Sequence, residues 1–412
     1  MNKSFIYLII LFCFLASVSA EAEDSNFVLA ENCPPSFELT EQGVCQLLTQ
    51  YQFYSSVQNK GLGGTRTNLP EHRDGFTPAQ IDLGRFLFFD PALSKDGSIS
   101  CASCHQPDKG FSDDLDRSIG ITGEKVARSA PTLWNVAFVD KFFWDVRAKS
   151  LEEQAVGPLF DPLEMGNTPE QLLSTLRNNQ VYVAMFKQAF PQESTVELAQ
   201  VYTSLTAFQT SLISLNSRYD QYAHGYHQAL TKNEIAGFNV FRSFVARCAE
   251  CHQPPLFTNN EIAVIGSPEP EGRALDIGAE KTYNAPKLRG AFKVPTLRNI
   301  TKSAPYMHSG RYADLREAIK FYNDGRGNSV PEGEDMLLHW HISEPNLTDE
   351  ELDLIVEFLG TLTDESLTPK TPSKVPSGLP VIDAKFQQQK NKLLTTNQKI
   401  QHKNNTVMQN GE

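Results

Sequence analysis

Two short cysteine–histidine motifs constrain this chain more than any other feature of its sequence. Residues 101–105 and 248–252 both read Cys-x-x-Cys-His, the attachment signature of c-type haem. Two thiols one helical turn apart can bond to the two vinyl groups of one haem, and the adjacent histidine then reaches the iron as proximal ligand. A Cys-x-x-Cys pair alone would also fit a redox motif or half of a zinc site. The histidine after each pair favours two covalently bound haem c groups, held by Cys101, Cys104, His105, Cys248, Cys251 and His252.

The first twenty residues have the pattern of a cleavable secretory signal peptide. Residues 1–20 contain one lysine, an apolar run from Ile6 to Ala16 and small residues at the end. The apolar run is too short to span a bilayer, so no stable membrane insertion is expected. Haem is attached to c-type cytochromes outside the cytoplasm. The signal and the two motifs therefore both predict a periplasmic protein.

Two cysteines, Cys33 and Cys45, lie outside both the motifs and the signal peptide. They belong to an N-terminal extension over residues 21–75, and in an oxidising compartment they predict a disulfide. Pairing cannot be deduced from sequence alone, so two unpaired thiols are the alternative.

Length and composition indicate a folded protein of two or three domains. The chain has 412 residues, of which 40% are hydrophobic, so it can bury substantial cores. Its net charge of -12 argues against nucleic-acid binding. An acidic surface favours a basic electron-transfer partner, although acidity also keeps a protein soluble.

Helix signals recur along the chain while strand alternation is scarce, so the predicted fold class is mainly α. Residues 77–80 have the pattern of a capping box before a helix that runs to Phe89, and residues 231–234 repeat this pattern. Each predicted helix precedes a haem motif, which indicates an internal duplication. We expect two cytochrome c-like haem domains, over residues 76–230 and 231–365.

The sequence predicts two further helices and a C-terminal extension. A polar box at Ser194 precedes an apolar stripe that predicts one long helix from Leu198 to Leu215. A box at Thr348 begins the last helix. Residues 366–412 are rich in Pro and then in Gln, Asn and Lys, which predicts a clamp strand followed by a disordered tail.

Seven further segments lie around the two motifs in a characteristic order. They are residues 83–91, 130–132, 143–145, 151–155, 164–165, 294–299 and 304–310. Together with the motifs they resemble the bacterial di-haem cytochrome c peroxidase family, which includes the MauG branch. The resemblance covers roughly residues 76 to 362. It implies a fold with two haem domains and an activity that uses hydrogen peroxide.

The resemblance also implies roles for individual residues around the first haem. His105 would be the proximal ligand of an iron whose other face is open to peroxide. Glu164 matches the family's distal Glu and Gln154 its distal Gln, on a stretch that Pro158 and Pro162 mark as a loop. Cleavage of peroxide needs a carboxylate of raised pKa to carry a proton between its two oxygens. The alternatives are a surface carboxylate and a helix-capping amide.

Trp144 matches the family's tryptophan between the two haems. An indole can relay an electron because its one-electron oxidation is accessible to an oxidised haem. A lone aromatic would be assigned to the core, and this assignment is compatible with a relay, since a relay must be packed and fixed.

Two departures from the classical pattern favour the MauG branch. Classical members carry a distal His ligand on a loop, but the matching loop, residues 118–123, has Ile121 at that position. Isoleucine cannot ligate iron, so we expect a five-coordinate or water-bound ferric haem that reacts without reductive activation. At the second haem, whose proximal ligand would be His252, the classical axial Met is replaced by Tyr322.

A Tyr322 ligand would give the second haem a low reduction potential, because phenolate is a hard anionic ligand that stabilises oxidised iron. This is the MauG pattern, in which both haems share oxidising equivalents and oxidise residues of a partner protein. The alternative is that Tyr322 is an ordinary buried tyrosine and that Met307 or another group ligates the iron.

The resemblance also implies a calcium ion between the haems. The carbonyl ligands correspond to Ser303 and Pro305, and the family's Asn ligand corresponds to Ser129. Calcium prefers oxygen ligands, and a serine is weaker than an asparagine amide.

Four other residues carry weaker expectations. His308 is expected to hydrogen-bond a propionate of the second haem and Arg298 to neutralise one. His339 and His341, which flank a tryptophan, could bind a metal, although such a pattern more often lies on the surface or in packing.

The sequence therefore predicts a periplasmic di-haem oxidoreductase. Its partners would be hydrogen peroxide and an electron-donor protein, which is a c-type cytochrome, a cupredoxin or a dedicated protein substrate. A classical cytochrome c peroxidase that detoxifies peroxide is one alternative, and a non-enzymatic di-haem electron carrier is another.

Overall fold

The computed structural model describes residues 27–48, 69–325, 330 and 333–381. The predicted signal peptide and the predicted tail from residue 382 lie outside the described residues. Among the helices in these ranges, none has the length and apolar character needed to cross a membrane.

The described part of the chain is mainly helical, as predicted. Its helices are α1 Pro78–Phe89, α2 Cys101–Cys104, α3 Leu151–Phe160, α4 Pro169–Asn178, α5 Gln180–Ala189, α6 Leu198–Thr210, α7 Arg218–Ala223, α8 Lys232–Phe241, α9 Cys248–Cys251, α10 Ala279–Tyr283, α11 Leu315–Asp324 and α12 Asp349–Gly360. Two antiparallel strand pairs accompany them. Strand β1 (Phe37–Leu39) pairs with β2 (Cys45–Leu47), and β3 (Ile262–Val264) pairs with β4 (Ala291–Lys293).

Two pairs of helices cross in the same way, and each pair packs within its own hydrophobic core. Helix α1 packs on α6, and α8 packs on α12. At the first crossing Gly84 lies against the carbonyl of Ser204, and at the second Gly237 lies against the carbonyl of Leu354. A β-carbon at either glycine would overlap with that carbonyl oxygen, so only glycine permits such a close approach of the helices. The chain is thus built from two similar units.

Capping explains where the two leading helices begin. Thr77 and Gln80 form a reciprocal capping box at α1, and Thr231 and Glu234 form one at α8. Each box satisfies two backbone N–H groups that the first turn leaves without partners. Helix α1 therefore spans the residues that the sequence predicted.

The N-terminal extension is joined to the first unit. Cys33 and Cys45 form a disulfide with a Cα–Cα distance of 5.6 Å. The backbone N–H of Cys45 donates to the carbonyl of Phe76, and Leu29 is buried in the same core as α1. The extension is therefore part of the packed structure from residue 27 to residue 48.

Two expectations about helices and strands were wrong. Helix α6 is capped at Glu197 and not at Ser194, and it ends at Thr210 before reaching Leu215. Beyond it, the carbonyl of Leu212 accepts a hydrogen bond from the backbone of Asn135, which requires a non-helical path. Residues 366–381 contain no strand.

The C-terminal segment nevertheless returns to the first unit. The hydroxyl of Ser377 donates to the carboxylate of Asp90 at 2.6 Å, and the side-chain amide of Asn179 donates to the carbonyl of Pro376 at 2.9 Å. Val375 is buried in the first core. Side-chain anchors, rather than a β-ladder, hold this segment.

Candidate haem sites

Both haem motifs form a single helical turn followed directly by the histidine. In α2 and α9 the two cysteines lie at the ends of the turn, and the backbone N–H of His105 and of His252 donates to the carbonyl of the first cysteine. This geometry places both sulfur atoms and the imidazole at one site. It is the arrangement that covalent haem attachment requires.

The two imidazoles have matching hydrogen bonds. Nδ1 of His105 lies 2.9 Å from the carbonyl oxygen of Phe111, and Nδ1 of His252 lies 3.1 Å from that of Phe257. Because a carbonyl oxygen only accepts, Nδ1 carries the proton in each ring. Nε2 then keeps its lone pair for a metal.

Burial also keeps these rings neutral. It lowers the pKa of His252 to about 4, against the raising effect of the carbonyls of Phe257 and Pro295. Burial likewise lowers the pKa of His105, against the raising effect of the carbonyls of Phe111 and Pro131. A neutral imidazole is the form that ligates iron, so both residues fit the proximal role.

A cavity of about 280 Å³ adjoins the second motif. Cys248, Cys251 and His252 form part of its wall, and Tyr322 on α11 forms another part. Most of the other lining is apolar, from Phe241, Leu256, Leu297, Ile319 and Leu359 among others. An apolar cavity that contains the two thiols and the imidazole of the motif fits a covalently bound haem.

The surroundings of Tyr322 keep its phenol protonated unless a cation is close. Burial raises the pKa of its phenol well above the usual value, and the charges of Cys248 and Cys251 raise it further. Met307 lines the same cavity. The structure therefore brings Tyr322 and its alternative to one site, and the identity of the axial ligand stays a prediction.

One short segment, Ser129–Thr132, touches both haem sites. The carbonyl of Pro131 acts on the imidazole of His105, and residues of this segment also line the cavity of the second site. The indole N–H of Trp144 donates to the carbonyl of Ser129 at 3.0 Å. Trp144 is thus fixed to the wall shared by the two sites.

Glu164 lies beside the first motif. Burial raises the pKa of its carboxyl to about 7, with a further increase from Asp161 and an opposing effect from Arg147. The charge of Glu164 in turn raises the pKa of the Cys101 thiol, although burial of that thiol has the larger effect. A carboxyl group with a pKa near neutrality can both accept and donate a proton at pH 7.

Gln154 is placed differently from the expected loop. It lies within helix α3, which contains Pro158, and its backbone N–H donates to the carbonyl of Ser150. Pro158 at the eighth position of the helix does not prevent α3 from forming. Only Glu164, beyond the end of α3, is on the loop that the sequence predicted.

The proposed calcium ligands lie on one wall. Ser129, Ser303 and Pro305 all line the cavity beside the second haem motif. The Ser129 hydroxyl donates to the carbonyl of Met307 at 2.9 Å, so this hydroxyl has a protein partner. Calcium binding stays a prediction.

Arg298 and His308 each have an acidic partner within the protein, and their contacts to haem propionates stay predictions. The guanidinium of Arg298 is fully buried and forms an ion pair with Asp220. Nε2 of His308 lies 2.7 Å from the carboxylate of Glu269. Asp220 and Glu269 are far from these residues in sequence, which is why motif reading did not predict either pair.

Glu269, Asp276 and His308 have ligand-type atoms within 4.8 Å of one another. Arg128 binds Asp276 with two hydrogen bonds, and Arg273 lies 3.0 Å from Glu269. Two guanidinium groups neutralise these carboxylates, which disfavours a metal ion there. His341 pairs with Glu250 at 2.6 Å, and its expected metal role stays a prediction.

Comparisons with known proteins agree with this geometry. A family model described as di-haem cytochrome c peroxidase matches residues 78–228. The methylamine utilization protein MauG of Methylorubrum extorquens is 34% identical over 289 residues, which cover 70% of this chain and 79% of that protein. The cytochrome c551 peroxidase of Nitrosomonas europaea is 33% identical over 320 residues, which cover 77% and 89% of the two chains.

Solved structures show the same relationship. A MauG-like protein associated with microbial copper homeostasis superposes with a TM-score of 0.66 and 30% identity, covering 76% of this chain and 98% of that one. The diheme peroxidase BthA from Burkholderia thailandensis superposes with a TM-score of 0.63 and 26% identity, covering 77% and 99%.

Proposed function

Because the chain belongs to the di-haem cytochrome c peroxidase family, an enzyme family with two covalently bound haem c groups, we propose a MauG-like activity for it. In this proposal hydrogen peroxide is reduced at the first haem, and electrons come from a partner protein through the second. The first haem, when bound by Cys101, Cys104 and His105, would supply the redox chemistry with peroxide. The chain's own residues hold the irons, move the protons and set the potentials.

Glu164 is the proposed acid and base. With a pKa of about 7 it takes the proton from one oxygen of peroxide and returns it to the other, which leaves as water. Its position beside Cys101 and the first motif supports this role. Gln154 would orient peroxide by hydrogen bonding from α3.

Ile121 supports an iron that is open before any reduction. Its loop is closed by hydrogen bonds of its own, from the backbone N–H of Gly120 to the carbonyl of Glu124 and from Val126 to Ser118. An aliphatic side chain at residue 121 offers no ligand atom. With isoleucine in place of a histidine ligand, the first haem is expected to react with peroxide without prior reduction.

The observation that carries the MauG-like proposal is the presence of Tyr322 in the cavity that contains His252. A phenolate opposite the imidazole would lower the potential of the second haem. The second haem could then hold an oxidising equivalent instead of only supplying an electron. A classical peroxidase would instead have a thioether ligand there, and Met307 is the methionine that lines this cavity.

Trp144 is the proposed relay between the haem sites. Its indole N–H is held by Ser129 on the shared wall, and its ring centroid is 6.4 Å from that of His308. The partner protein is expected in the periplasm. It is a c-type cytochrome, a cupredoxin or a dedicated protein substrate.

An optical titration of the untreated, fully oxidised protein with near-stoichiometric hydrogen peroxide tests this function. We expect an immediate change of the Soret band, together with a near-infrared charge-resonance band. Reaction only after one-electron reduction would instead indicate a classical peroxidase. No reaction in either state would indicate an electron carrier.

A further inference from the structure

The cavity beside the second haem motif is lined by few charged side chains. Among the residues that line it there is no Asp or Glu, and the lysine and arginine side chains are those of Lys293 and Arg247. A haem c brings two propionate carboxylates. A buried carboxylate costs several kcal/mol unless a cation or several hydrogen bonds compensate it.

Arg247 lines the cavity, but neighbouring groups already engage its guanidinium. Its guanidinium lies 4.3 Å from the ring centroid of Phe244 and 5.6 Å from that of Trp340. Phe244 and Trp340 are both exposed, and Nε of Arg247 donates to the carbonyl of Phe244. Its Nε also lies 3.8 Å from the carboxylate of Glu250, so the charge of this partly buried side chain already has an acidic partner.

Lys293 lies on β4, between Phe292 and Val294, which also line the cavity. Its backbone N–H donates to the carbonyl of Trp144 at 2.8 Å, which fixes the strand beside the shared wall. Its Nζ donates to the carbonyl of Lys141 at 2.8 Å. An ammonium group has three donors, so this bond leaves capacity for an anion in the cavity.

The surroundings of Lys293 supply little negative charge. Burial lowers the pKa of its amine to about 8. The negative charge of Asp140 raises this pKa, and the positive charge of Lys141 lowers it. Asp140 and Glu261 both lie near the Nζ of Lys141, at 3.6 and 3.7 Å, and Asp140 also accepts from Asn260. These carboxylates are shared with other groups, so an additional anion would stabilise the Lys293 ammonium.

We infer that the Nζ of Lys293 binds a propionate carboxylate of the second haem. Lys293 then takes the role that the sequence assigned to Arg298, whose charge Asp220 already compensates. The inference rests on the two-haem composition of the family and does not depend on peroxide turnover.

The reduction potential of the second haem in the loaded protein tests this inference. Lys293→Gln keeps a donor for the carbonyl of Lys141 but removes the cation. We expect the potential to fall by at least the equivalent of a tenfold change in the reduction equilibrium, about 59 mV for one electron. The reason is that loss of a nearby positive charge favours the oxidised haem.

Two matched variants make the result specific. Lys293→Arg should keep the potential close to that of the original protein, and Lys141→Gln, which removes a neighbouring surface cation, should leave it nearly unchanged. The first haem should keep its potential in all three variants. An unchanged second-haem potential in Lys293→Gln, or an equal fall in Lys141→Gln, would overturn the inference. If Lys293→Gln does not retain haem, Lys293→Met is measured by the same criteria.

Discussion

The backbone N–H of Ile121 donates a hydrogen bond of 2.9 Å to the carbonyl oxygen of Glu164. The adjacent Gly120 lies so close to the carbonyl of Leu163 that a side chain there would overlap with it. The loop that would carry a distal ligand in classical relatives is therefore packed against the backbone of the proposed acid–base residue. These contacts fix the backbone that carries Glu164.

The reaction with peroxide should depend on the protonation of Glu164. The carboxylate form accepts the first proton, so the rate should rise as the pH increases through about 7, the pKa of this group. Glu164→Gln should lower the rate by roughly 10²–10⁴-fold. Stopped-flow measurement of the peroxide reaction from pH 5 to pH 9 checks both statements.

Asp161→Asn offers a sharper version of this experiment. Asp161 raises the pKa of Glu164, and an asparagine oxygen can still accept the hydrogen bond from the backbone N–H of Leu163. We expect the midpoint of the pH profile to move to lower pH while the maximal rate is kept. A midpoint that does not move would assign the profile to another group.

Tyr322→Met should raise the reduction potential of the second haem. Axial ligands change haem potentials over about 0.8 V, and we expect a rise on the order of 0.1 V or more from replacing a phenolate by a thioether. Tyr312→Phe is the matched control, because Tyr312 is also partly buried and close to α11 but does not line the cavity. Equal potentials in Tyr322→Met and the original protein would show that Tyr322 is not a ligand.

Gly84→Ala and Gly237→Ala should each destabilise the unit to which they belong. The added methyl group would overlap with the carbonyl of Ser204 or of Leu354, and forced repacking typically costs about 1–3 kcal/mol. Gly360→Ala is the control, because no atom lies within 4 Å of its added β-carbon. Chemical denaturation followed by circular dichroism measures the three variants; equal stability of all three would contradict the close helix crossings.

The disulfide should stabilise the extension without affecting the haem sites. Closing a loop with a sequence separation of 12 residues contributes about 3 kcal/mol to the free energy of unfolding. The double variant Cys33→Ala with Cys45→Ala should unfold at lower urea concentration, with an unchanged visible spectrum. Treatment of the original protein with a thiol reductant should give the same loss, and a reductant without effect would contradict it.

Local signals in the sequence predicted local structure well. The capping boxes at Thr77 and Thr231 fix where α1 and α8 begin, because the satisfied N–H groups are within four residues of the cap. The haem motifs likewise specify a site within five residues. The residues of each feature are close together in the sequence, so the sequence alone predicted these features.

Interactions between residues that are far apart in the sequence were not predicted. Arg298 pairs with Asp220, 78 residues away, and the sequence offers no pattern that links them. Helix α6 ends at Thr210 although the apolar stripe continues to Leu215, and beyond this end Leu212 accepts a hydrogen bond from Asn135, 77 residues earlier in the sequence. The proposed role of Lys293 depends on which residues line the cavity, and these come from distant parts of the sequence.

The wall formed by Ser129–Thr132 has a consequence for the speed of electron exchange. Because one short peptide contacts both haem sites, an electron passing between them would have a path through a few covalently bonded residues. Under the proposed function, this segment would let the two haems share oxidising equivalents.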